Sequence, residues 1–104
     1  MKRVAFKMFL KPGMEAEYVK RHDAIWPELK KLLIDQGVYD YSIFFDCETN
    51  ILFAVQKVKG GVGSQVRDES GIIQRWWDSM ADLMEVNPDN SPKTVDLNEV
   101  FYME

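Results

Sequence analysis

The sequence is short of the residues that small catalytic and metal sites usually use. It has one histidine, His22, and one cysteine, Cys47, in 104 residues. A single cysteine excludes an intramolecular disulfide and fits a reducing cytoplasm. One Cys with one His is too few for a standard structural zinc site. Positive charge is also scarce: 13 Lys and Arg stand against 17 Asp and Glu, a formal charge of −4. No basic cluster stands beyond short pairs such as Lys20-Arg21 and Lys30-Lys31. Nucleic-acid binding needs a concentrated positive field, so no nucleic-acid partner is expected. No apolar run approaches the roughly 20 residues that cross a bilayer, so no membrane partner is expected either. The charged start, Met1 to Lys7, has no long apolar segment after it and does not read as a secretory signal. No glycine-rich phosphate loop follows a strand, and no nucleophile has an evident partner.

What is present is a hydrophobic content of 46% and an aromatic content of 12%, with Trp26, Trp76 and Trp77 among the aromatics. This composition suits one folded domain over residues 1–104. Val4, Phe6, Met8 and Leu10 alternate with Arg3, Lys7 and Phe9, which predicts a strand over Lys2 to Leu10. Pro12-Gly13 reads as a turn, and Met14 to about Arg21 as a helix. Pro27 disfavours helical geometry at Trp26 and can open a second helix, so Asp23 to Trp26 is read as a kink. Leu29, Leu32 and Leu33 form the second helix's apolar stripe, and Gly37 ends it.

Tyr39, Tyr41, Ile43, Phe45 and Cys47 alternate with Asp40, Ser42, Phe44 and Asp46, predicting a second strand. Ile51 to Val58 forms a hairpin with it. Gly60, Gly61 and Gly63 weaken the case for a helix between Gln65 and Glu69. Ile72 to Met84 reads as a helix, Asn87 to Pro92 as a loop, and Thr94 to Tyr102 as a final strand. The order β-α-β-β-α-β is the ferredoxin-like α+β arrangement, an antiparallel sheet with helices on one face. The second sheet face carries Phe9, Phe44 or the tyrosine row, depending on register. Its apolar content points to a covering subunit, commonly through a two-fold axis.

Tyr18 and His22 are four residues apart on one helical face. His22 is the sole side chain whose unperturbed pKa suits proton transfer near neutrality. It also fits a satisfied histidine at a core edge. Trp76 and Trp77 are adjacent and point about 100° apart on a helix, so one of them at least suits the core, and Tyr41 suits an ordinary strand position. Taken together, one titratable group, hydroxyls and flat indoles suit an uncharged ligand with apolar patches, such as a sugar. Reversible ring opening is the simplest sugar reaction that a single acid–base group performs.

Tyr18-Val-Lys-Arg-His22-Asp-Ala-Ile-Trp-Pro-Glu-Leu29 resembles the Y-x-x-R-H-x-x-I-W-P-E-L signature of L-rhamnose mutarotases. Gln74-Arg-Trp-Trp77 with Met80 is similar to that family's second motif, and Asn87 to Pro92 with Leu97 to Tyr102 to its C-terminal end. The resemblance implies a dimeric α+β barrel, a cytoplasmic location and interconversion of the α and β anomers of L-rhamnose without metal or organic cofactor. It implies His22 as proton donor and Tyr18, Tyr41, Trp76 and Trp77 as substrate contacts. The chain departs from the pattern at Lys59 to Gly71, where Gly60-Gly61-Val62-Gly63 replaces a polar helix that often carries a tryptophan. Two alternatives stay open on the residues alone. One is a haem-binding or cofactor-free monooxygenase of the same dimeric architecture; the other is a non-catalytic ligand-binding module.

Overall fold

The computed structural model describes residues 2–104. In chain order its elements are β1 (Lys2–Phe9), α1 (Glu15–Asp23), α2 (Pro27–Asp35), β2 (Val38–Asp46), β3 (Ile51–Val58), α3 (Ile72–Met80) and β4 (Val95–Leu97). The four strands form one antiparallel sheet in the order β2-β3-β1-β4, the ferredoxin-like order with the first helix of the pattern broken into α1 and α2.

Local chemistry explains the break. α1 has Glu15 and Glu17 in its first turn and Lys20, Arg21 and His22 in its last, matching charge to the helix dipole. Trp26 precedes Pro27 and is extended, at φ −61° and ψ 129°, as a residue before proline prefers. Pro27 then opens α2, where its missing N–H is no loss. Gly37 ends that segment with φ +94°, and a Cβ there would lie 3.0 Å from the Lys59 Cβ. Only glycine allows this close approach at a left-handed position.

The inner sheet face and the helices enclose the core. Phe6, Met8, Leu52 and Ala54 from the sheet pack with Tyr18, Met80, Leu83 and Met84. A second cluster, Leu29, Ile73 and Trp77, joins α2 to α3. The half-buried Trp76 touches both.

The structure corrects three expectations. First, Tyr39 and Tyr41 do not share a face. The ladder between β2 and β3 shifts between Tyr39, opposite Lys57, and Ser42, opposite Val55. Asp40 and Tyr41 therefore bulge opposite Gln56 alone, with Asp40 at φ +49°. Val38, paired with the buried Val58, thus stands on the inner face with Tyr41, and Tyr39 turns away. Second, α3 ends at Met80 instead of Met84. Leu83 and Met84 stay buried, but Leu10 bridges Met84 and the Glu85 N–H donates to the Phe9 carbonyl. Pairing with the end of β1 overrides the helical pattern. Third, β4 has three residues and does not reach Tyr102. Beyond it the chain is held by side chains: the Arg3 guanidinium donates to the Glu99 carboxylate at 2.7–3.1 Å and lies 3.3 Å over the Tyr102 ring. Residues 65–69 form no helix, in keeping with the glycines before them.

The outer sheet face carries Phe44, paired with Phe53, and Leu97, paired with Ala5. Phe44 is 63% exposed. Register therefore places the Phe44 row, not Tyr41, on this apolar side.

Candidate active site

α1 delivers its side chains in a fixed frame. Arg21 donates to Glu17 at 3.0 Å, to Asp82 at 2.8 and 3.2 Å, and to the Ser79 carbonyl at 2.7 Å. This ties α1 to the end of α3 and gives a role to a motif residue that the sequence left without one. On the next position, His22 stacks on Tyr18 with ring centroids 4.2 Å apart. The edge of Trp76 meets the His22 ring at 5.4 Å and 86°, and Trp26 in turn meets Trp76 at 5.2 Å and 87°. The imidazole is thus held between aromatic surfaces from both helices.

Its hydrogen bonding sets its tautomer. His22 Nδ1 lies 3.2 Å from the Tyr18 carbonyl oxygen. A carbonyl only accepts, so Nδ1 carries the proton, and in the neutral ring Nε2 holds the free lone pair. Burial lowers the His22 pKa from its ordinary value, partly offset by that hydrogen bond and by Asp23. His22 is therefore mostly neutral at pH 7. Burial, with the nearby Tyr41 hydroxyl adding to it, pushes the Tyr18 phenol far above its usual range. Burial likewise raises Tyr41, while Ser64 and Gln65 pull it down. Both tyrosines stay protonated and able to donate.

These groups line a cavity of about 680 Å³ between the inner sheet face and the helices. That volume falls in the usual range for small-molecule sites. All five residues named from sequence, Tyr18, His22, Tyr41, Trp76 and Trp77, lie along it. Their situations differ. Trp77 is 5% exposed, packed with Leu29 and Ile73 and faced by the Arg67 guanidinium at 5.9 Å. It is mainly a core residue with one edge on the cavity. Trp76 is the freer indole.

Sequence reasoning missed Ser64, Gln65 and Asn90, which also line the cavity. Asn90 sits in a loop pinned to α3: it donates to Asp78 at 3.1 Å, and Gln74 donates to the Asp89 carbonyl at 2.7 Å. Ser64 and Gln65 were hidden by the neighbouring glycines. A signal existed one strand earlier: Gln56 interrupts the inward row Leu52, Ala54, Gln56, Val58, and a buried amide needs partners. Among the described residues, no three His, Cys, Asp or Glu side chains gather as a metal site.

Comparison with known proteins gives one result. The sequence model of a family described as L-rhamnose mutarotase matches residues 3–103. An L-rhamnose mutarotase from Phocaeicola vulgatus is 68% identical over 104 residues, covering all of both chains. One from Bacteroides thetaiotaomicron is 66% identical with the same coverage. The crystal structure of L-rhamnose mutarotase FA22100 from Formosa agariphila aligns over the whole of both chains with a TM-score of 0.91 and 57% identity.

Proposed function

The chain belongs to the L-rhamnose mutarotase family, and from that premise we propose that it is a carbohydrate isomerase that interconverts the α and β anomers of L-rhamnose. The observation that carries the reading is His22: one neutral imidazole with its Nδ1 occupied, lining a cavity walled by indoles and phenols.

Ring opening requires the anomeric hydroxyl to lose a proton and the ring oxygen to gain one. Neutral His22, through Nε2, takes the anomeric proton first. The imidazolium so formed is a stronger acid than an ordinary histidine, because burial disfavours its charge. It returns the proton to the ring oxygen as the C1–O5 bond breaks. Rotation about C1–C2 and reclosure on the other carbonyl face, by the reverse transfers, gives the other anomer. His22 ends as it began, and no other group needs to change charge. The sequence cast His22 as the donor; in this reading the same imidazole accepts a proton before donating it.

In this reading Trp76 offers a flat surface to the sugar's C–H face. Tyr18 and Tyr41 donate hydrogen bonds to its oxygens, and the edge of Trp77 closes the apolar end. Saturation-transfer NMR of L-rhamnose, with L-fucose as a second sugar, tests the reading. Wild-type protein should accelerate anomer exchange, and His22→Ala should lose about 10²–10⁴-fold of that acceleration. Folded wild-type protein that accelerates neither sugar contradicts the assignment.

We also propose a homodimer formed through the outer sheet face, supported by the exposed Phe44, Val55 and Leu97. Phe44→Asp should shift the sedimentation coefficient from dimer to monomer. The exposed free thiol of Cys47 supports a reducing, cytoplasmic setting.

A further inference from the structure

The segment after β3 is the part of the cavity wall that departs from the family pattern. Its middle, at Ser64, is tied down by one buried side chain, while Arg67 pins its far half to Gln74. Gln56, 1% exposed, reaches up from the sheet where Asp40 and Tyr41 bulge opposite it. Its Nε2 donates to Ser64 Oγ at 2.8 Å, and its Oε1 accepts from the Ser64 N–H at 2.9 Å. The carboxamide thereby binds the segment at two points, as a neighbouring strand would. Gly63 lets this happen: a Cβ there would lie 3.0 Å from Gln56 Oε1.

The remaining valences can be followed outward. Ser64 Oγ also accepts from Gln65 Nε2 at 3.2 Å. A hydroxyl oxygen has two lone pairs, and both are now engaged. The Tyr41 phenol lies beside Ser64 and Gln65, and both lower its pKa against the effect of burial. At the other end of the chain, Gln65 Oε1 is buried and accepts no hydrogen bond from the protein. Gln65 lines the same cavity. A buried acceptor without a donor is a costly arrangement unless something else supplies the donor.

We propose that Gln65 is a further substrate-binding residue, whose Oε1 accepts a hydrogen bond from a hydroxyl of the bound sugar, and that Gln56 and Ser64 are the positioning pair that holds it. The inference rests on the sugar-isomerase reading and extends it to the wall that the family motifs do not cover. Gln65 contacts substrate away from the proton transfers, so it contributes to binding in ground state and transition state alike. Such uniform binding appears in KM and not in kcat.

The test is the dependence of anomer exchange rate on L-rhamnose concentration, for wild type, Gln65→Met, Gln56→Met and Ser64→Ala. Gln65→Met keeps the length and removes the acceptor. It should raise KM about fivefold to tenfold, the size of one hydrogen bond, with kcat within about twofold. Gln56→Met and Ser64→Ala should raise KM in the same direction. General destabilisation would instead lower the active fraction, hence apparent kcat, and leave KM in place. If Gln65→Met does not fold, Gln65→Asn, which retracts the amide by one methylene, carries the same expectation. An active wild type with unchanged KM in the folded Gln65 variant overturns this inference alone. A wild type without activity overturns the isomerase reading, and this inference with it.

Discussion

The two walls of the cavity are built by different means. The helical wall, from α1 and α3, is aromatic and clamped by charge: Tyr18 and Trp76 both contact His22, and Arg21 locks the two helices together. The opposite wall, residues 59–71, has no regular secondary structure beyond its turns and is pinned at a few points, the buried Gln56 carboxamide on Ser64 and Arg67 on Gln74. The first arrangement fixes a proton-transfer group to a rigid frame. The second presents polar atoms on an irregular segment held by a few side-chain bonds. Chemistry therefore belongs to the helical wall and fine substrate recognition to the other. Exchanging residues in the loop wall should alter affinity while leaving proton transfer intact.

Substitutions sharpen this division. The largest stability effect should come from Trp77, which the core encloses: Trp77→Ala should cost about 3–5 kcal/mol in urea unfolding. Its neighbour Trp76 should behave in the opposite way, with a smaller loss of stability and a rise in KM for L-rhamnose. If both variants lose the same stability and the same affinity, the distinction between core and platform fails. In the loop wall, Gly63→Val drives a side chain into the Gln56 carboxamide. It should displace the Ser64 N–H bond, cost about 1 kcal/mol, and raise KM with little change in kcat. A comparable fall in kcat would mean that the two walls are not separable. The smallest effect is expected for Tyr18→Phe. The ring still stacks on His22, and loss of one hydroxyl should weaken L-rhamnose binding by a few fold. Unaltered affinity and exchange rate would remove the hydroxyl from the account.

How much of this could be read from the residues follows the same division. The β-α-β-β-α-β order was legible because alternation and helical spacing are local signals, reinforced by Pro27 and Gly37. Tyr18, His22, Tyr41, Trp76 and Trp77 were legible because motif spacing on helices and strands carries them to one cavity. Four features were not. The bulge at Asp40–Tyr41 depends on pairing with β3, so counting by twos put Tyr39 on the same face as Tyr41, Ile43 and Phe45. The early end of α3 depends on Leu10 bridging Met84, a contact between residues 74 positions apart. The polar wall depends on Gln56 meeting Ser64 across a glycine-rich turn, which composition reads only as flexibility. The lowered pKa of His22 likewise comes from burial by Tyr18 and Trp76, which no spacing reports.

The central claim is that a neutral His22 carries the proton in anomer exchange. The pH dependence of L-rhamnose exchange, measured by saturation-transfer NMR on wild type and His22→Ala together, tests it most directly. The free base is the working form, and burial holds its pKa below the ordinary 6.5. The wild-type rate should thus be level above about pH 6.5 and fall as acid protonates the ring. His22→Ala should be slow at every pH and lack this limb, which would tie the titration to the imidazole. A variant that keeps the wild-type rate and the same limb would show that another group moves the proton.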